Sequence, residues 1–130
     1  MSDEITIVAG LKASLGAFVV ERANLTKMAT LATSPPARSL NVQTIGTGVA
    51  GNALAIATGV NITGGCGWFK NTMSTNTGNY VDVGVQVAGT FYPVARLRPG
   101  EATTFRAATL ALYARAASGN VSLEHDIMTP

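Results

Sequence analysis

The clearest pattern in the chain is a two-residue alternation between positions 80 and 87. Val81, Val83, Val85 and Val87 fall on one side, and Tyr80, Asp82, Gly84 and Gln86 on the other. That is the period of a strand with one face buried. Ala88-Gly89 predicts a short turn, and Thr90 to Arg98 the return strand of a hairpin. Pro93 sits inside that return strand, so it is expected at an edge or a bulge, where no ladder donor is needed. In Arg98-Pro99-Gly100-Glu101, Pro99 pre-sets φ for the first central position of a turn and Gly100 can take the positive φ of the second. Ala102 to Arg106 follows as a short strand. Leu110 to Ala116 and Val121 to Ile127 alternate again, the latter with Val121, Leu123, His125 and Ile127 on one side, and Ser118-Gly119-Asn120 joins them as a polar turn.

The first half is patterned less sharply. Glu4 to Ala9 and Ser14 to Glu21 read as strands, and Asn24 to Ala37 as a loop, because Pro35-Pro36 forbids a ladder and favours extended, solvated backbone. Leu40 to Thr47 alternates as Leu40, Val42 and Thr44, and Ala53 to Thr58 carries Leu54 and Ile56. Gly64-Gly65-Cys66-Gly67 leads into Trp68-Phe69, and Asn71 to Asn79 is a polar loop. About nine or ten short strands, with turn signals about every 8 to 12 residues, predict an all-β chain: a β-sandwich with a jelly-roll or Greek-key-like arrangement. The 130 residues make a single domain, 1–130, in which 1–40 includes an extended arm or loop.

Composition narrows the chemistry. Only 12% of residues are charged and the formal net charge is +2, while 47% are apolar, which excludes a disordered chain. The bases are scattered, so charge does not point to nucleic acid. The longest weakly polar stretch, Val49 to Val60, is shorter than the ~20 residues a membrane-spanning helix needs. The opening Met1-Ser2-Asp3-Glu4 is acidic where a secretory signal is basic, and the expectation is a protein kept in a reducing compartment. Few large side chains are available to fill a core, so packing against other copies is expected to help.

Single candidates for chemistry each have a plainer reading. Cys66 and His125 are the chain's one cysteine and one histidine, too few for a structural zinc site, and no cofactor or metal is expected. Glu124 and Asp126 flank His125 but fall on the opposite side of the strand, so no catalytic constellation forms there and an enzyme is not expected. Gly64-Gly65-Cys66-Gly67 lacks the Gly-Lys-Ser/Thr ending of a phosphate loop. Phe91, Tyr92, Arg96 and Arg98 combine aromatic and arginine side chains, the types most enriched at interface hot spots, and they are the candidate protein-contact residues. The segment from Asn71 to Gly78 and the N-terminal arm are further candidates.

Three blocks carry a family resemblance. Asn79-Tyr80-Val81-Asp82-Val83-Gly84-Val85, then Gly89-Thr90-Phe91-Tyr92-Pro93, then Arg96-Leu97-Arg98-Pro99-Gly100-Glu101 resemble a block found in small virion-associated proteins of tailed bacteriophages. Gly67-Trp68-Phe69-Lys70-Asn71 is similar to the strand that precedes it, and Leu110 to Ile127 to the closing hairpin. The resemblance covers Gly67 to Ile127 well and the first half loosely. It implies a non-enzymatic β-sandwich protein of the phage particle: a capsid cement or decoration protein, or a tail or fibre component. The implied partners are the major capsid protein or other virion proteins and further copies of the chain, a homotrimer suiting a three-fold site; no nucleic acid and no membrane are implied. The implied location is the virion, with synthesis in the host cytoplasm. A carbohydrate-binding β-sandwich on the particle surface, using Trp68 or Tyr80, is the alternative.

Overall fold

A computed structural model of the chain describes residues 4–15, 18–30, 38–57, 60, 66–74, 79–106 and 111–128, with strand pairing alone for those before residue 31. The described residues contain strands and no helix. The N-terminal hairpin pairs β1 (Glu4–Leu15) with β2 (Phe18–Thr30). Eight further strands form two four-stranded antiparallel sheets. One has the order β3 (Arg38–Ile45), β10 (Val121–Met128), β5 (Cys66–Asn71), β8 (Ala102–Arg106). The other runs β4 (Asn52–Ala53), β9 (Tyr113–Ala116), β6 (Val81–Val87), β7 (Thr90–Leu97). The two sheets share one core, a sandwich-like arrangement: Ile45, Phe69, Val121, Leu123 and Ile127 of the first pack with Val81, Val83, Leu97, Ala114 and Ala116 of the second. His125 lies buried on the same side of β10 as Leu123 and Ile127, in keeping with the alternation of that strand.

The second half follows its local pattern. Ala88 (φ 49°) and Gly89 (φ 80°) both take the left-handed conformation that a two-residue hairpin turn of matching twist requires. Gly100 has φ 81°, and the Glu101 N–H donates to the Arg98 carbonyl at 2.9 Å, closing the expected turn. Pro93 lies on the edge strand β7 beside a bulge: Ala95 pairs with Val83 but Pro93 with Gly84, leaving Val94 as the extra residue.

The first half corrects several expectations. The segment Ser14 to Glu21 is not one strand, since Leu15 and Phe18 are register partners and the chain reverses between them. Asn24 to Thr30 is not loop but the end of β2, because it pairs with the Glu4 to Ala9 strand, a partnership that no local pattern reveals. Pro35-Pro36 and Gly64-Gly65 lie outside the described residues.

Strand β3 is inverted. Its apolar members Leu40 and Val42 are 56% and 59% exposed, while Ser39, Asn41 and Gln43 point toward the segment 53–57. The reason is in their hydrogen bonds. Among the described residues of the next stretch, Asn52 and Ala53 join a ladder and the Leu54 N–H donates to the Leu112 carbonyl, so the backbone that follows needs other partners. Gln43 Nε2 donates to the Ala53 carbonyl and its Oε1 accepts from the Ala55 N–H, both at 2.9 Å. Ser39 Oγ accepts from the Ala57 N–H at 2.9 Å, and Asn41 Nδ2 donates to the Ala55 carbonyl at 3.4 Å. The side chains of β3 do the work of a missing strand.

Candidate contact surface

The four candidate contact residues lie on and just beyond β7, and the structure divides them. Phe91 is 6% exposed and turned against the turn that precedes β4. Gly51, at φ 75°, sits so close that an added Cβ would lie 2.8 Å from Phe91 Cδ2, and the Arg115 guanidinium stands 5.1 Å from the Phe91 ring centroid. Gln86, the register partner of Phe91, donates to the Ala50 carbonyl at 2.9 Å and pins this turn in place. Phe91 therefore packs inside the chain, and Tyr92, Arg96 and Arg98 are the members that reach the surface. Tyr92 is 52% exposed and the adjacent Val94 66%.

Arg96 is committed to an internal partner. Its Nε and Nη2 donate to Asp82 Oδ1 and Oδ2 at 2.8 and 3.0 Å, a two-pronged geometry that only a guanidinium offers. Its Cζ lies 3.7 Å from the Tyr80 ring centroid. The hydrogen bonds to Asp82, reinforced by the Asp82 charge, raise the Arg96 pKa above the usual arginine value. Asp82 is 2% exposed, so removing Arg96 leaves a buried carboxylate without its counter-charge. Arg98 holds the turn through its backbone, whose N–H donates to Glu101 Oε2 at 2.8 Å, and its side chain is exposed.

Asn71 is a buried junction that sequence reading placed in a polar loop. Its side chain donates to the Asn79 and Leu97 carbonyls at 3.2 and 3.1 Å and accepts from the Met73 N–H at 3.1 Å. Its backbone bonds Gly100 and Glu101, so the Pro-Gly turn after β7 is anchored to the end of β5. The remainder of the Asn71 to Gly78 segment is described only as far as Ser74. Cys66 is buried beside Gly67, as a small filler would be. Trp68 is 38% exposed on β5, with Asp126 and Thr104 as its register partners. Among the described residues, no three metal-binding side chains cluster, and no helix is long and apolar enough to cross a membrane.

His125 has one testable consequence. Its Nε2 lies 3.4 Å from Gln43 Oε1, while Nδ1 is buried with no hydrogen-bond partner. Burial lowers its pKa from 6.5, with the Asp126 charge opposing in part. The unfolded chain thus takes up a proton near the ordinary histidine pKa of about 6.5, and the folded chain only at lower pH. Stability is full above that value and declines as pH falls toward the folded pKa. Urea midpoints measured from pH 7.5 to 5 should fall through this window, and less so in His125→Gln; equal slopes in the two proteins would contradict a neutral, buried imidazole.

Set against family models, curated proteins and solved structures, this chain matches none of them.

Proposed function

We propose that this protein is a non-enzymatic structural component of a tailed bacteriophage particle, a capsid cement or decoration protein that stabilises the shell. The observation that carries this reading is the way the strands nest. β6 pairs with β7, β5 with β8, β4 with β9 and β3 with β10. Four nested antiparallel pairs, alternate pairs falling in opposite sheets, support a jelly-roll reading, an architecture used in viral shells. The resemblance of the β5 to β10 blocks to small virion proteins supports the same assignment.

A cement protein acts by mass action: it binds the assembled lattice and not free subunits, and so shifts the equilibrium toward the intact shell. Its partners are the major capsid protein and further copies of itself, a trimer at a three-fold site, and its place is the virion. The exposed part of β7 and the turn after it form the contact, with Tyr92 as an apolar anchor and Arg98 as a charged one.

Co-sedimentation of the purified protein with empty shells tests this. Saturation at a copy number set by the lattice is expected. Tyr92→Ala with Arg98→Glu should lower shell affinity by about 10-fold or more, with the unfolding midpoint unchanged because both side chains are exposed. A protein that ignores shells but occurs at a few copies per virion belongs to the tail or its fibres, and the cement reading fails.

A further inference from the structure

Among the described residues, two parts of this chain each lack a neighbouring strand. β1 and β2 pair with one another and with no other strand, and a two-stranded ladder by itself is marginal in water. β3 pairs with β10 along one edge and, among the described residues, with no strand along the other.

The other three edges of the two four-stranded sheets carry features that discourage a further strand. β4 is two residues long, and β7 contains Pro93, which has no N–H to donate, beside its bulge. β8 is five residues long and ends on exposed Arg106. β3 has none of these. It runs eight residues without a proline or a bulge, and from Ser39 to Ile45 it carries no charge. Its single charge, Arg38, is held by Asp126 at 2.6 Å. Leu40 and Val42 stand exposed beside the open edge. A long, regular, uncharged edge with an apolar flank is the kind that takes up another strand.

We propose that the free edge of β3 receives the N-terminal hairpin of a second copy of this chain, which extends the β3-β10-β5-β8 sheet. This rests on the self-association named under the proposed function and locates its interface. Length fits: the hairpin strands of 12 and 13 residues reach ~40 Å, and the eight residues of β3 need ~27 Å. Charge fits as well. The hairpin carries both signs, with Lys12 and Glu21 in register across its ladder, so it approaches a neutral edge as a nearly neutral element. Pairing of β3 with β3 of another copy leaves both hairpins without a third strand, whereas hairpin addition satisfies both deficits at once. Donor and acceptor surfaces differ, so copies link head to tail and close into a ring, of which a trimer is the simplest beyond a reciprocal pair.

The test is the solution mass of the full-length protein by light scattering, without shells, so that its outcome is separate from shell binding. The expected result is a closed oligomer that dissociates on dilution, with those alternate amides of residues 39–45 that point away from β10 protected from hydrogen exchange in the oligomer and exposed in the monomer. Leu40→Lys with Val42→Lys should raise the dissociation constant at least ~100-fold through charges beside the edge. Both replaced side chains are exposed, and Glu124 faces Val42 across the ladder and can pair with the new lysine there, so the fold is kept. Val8→Pro with Thr26→Pro breaks the hairpin ladder at facing positions and should have the same effect, with the thermal unfolding of the two four-stranded sheets retained. A monomer at every concentration overturns the proposal. So does an oligomer that survives the hairpin variant, which indicates β3-to-β3 pairing, and so does protection of the free-edge amides of 39–45 that does not change on dilution, which indicates the chain's own hairpin.

Discussion

Gly84→Ala is expected to cost more than about 3 kcal/mol, at or beyond the upper end for overpacking. The bulge at Val94 pushes β7 over β6 at this point, and a Cβ on Gly84 would lie 2.0 Å from the Tyr92 carbonyl oxygen and 2.9 Å from Pro93 Cα. Both obstacles are backbone, so no side-chain rotation relieves them. Either the bulge must be expelled or the β6–β7 ladder must part, and both disturb Val81, Val83 and Leu97 in the core. The thermal midpoint should drop by about 10 °C or more, given a few degrees per kcal/mol for a domain of this size. A midpoint within a degree of the parent protein would show that β7 does not press on Gly84.

Phe69→Ala is the second change with a large effect. Phe69 is fully buried at the centre of the core and stacks on Phe105, ring centroids 4.8 Å apart and planes 20° from parallel. Truncating a buried phenylalanine costs about 3–5 kcal/mol through lost transfer energy and the cavity left behind. Domains are stable by only about 5–15 kcal/mol, and this chain has few other large side chains to close the gap: one Trp, four Phe and three Tyr in 130 residues. Phe69→Leu should recover much of the loss. Urea unfolding of the three proteins provides the comparison, and a loss below about 1 kcal/mol for alanine would mean that the two sheets collapse onto the vacated space.

What could be read directly from the chain was whatever depends on near neighbours. The alternation of β10, with His125 on the buried side, needs only a period of two. The turns at Ala88-Gly89 and Pro99-Gly100 need only residues that accept particular φ values. Pro93 could be placed at an edge or bulge because it lacks an N–H, wherever the rest of the chain goes.

The sidedness of the candidate contact was a different matter. Without the bulge, Phe91 would share a side with Ala95 and Leu97; one extra residue at Val94 instead aligns Phe91 with Gln86, on the side that carries Asp82 and Arg115. There the turn at Gly51 covers it. The same holds for Asp82, a polar position of an alternating strand that is buried where Arg96, from the neighbouring strand, binds both its carboxylate oxygens.

The local sequence by itself determined that this protein is built of β-strands, where its later turns fall, and which residues of β10 face inward, because periodicity and φ preference act within a few residues. Tertiary structure alone decided that β3 turns its polar side chains inward to hold residues 53–57, that Asn24 to Thr30 is strand, and that Phe91 is buried while Tyr92 is exposed. Each of these depends on hydrogen-bond partners or covering residues contributed from elsewhere in the chain, and no window of neighbouring residues contains them.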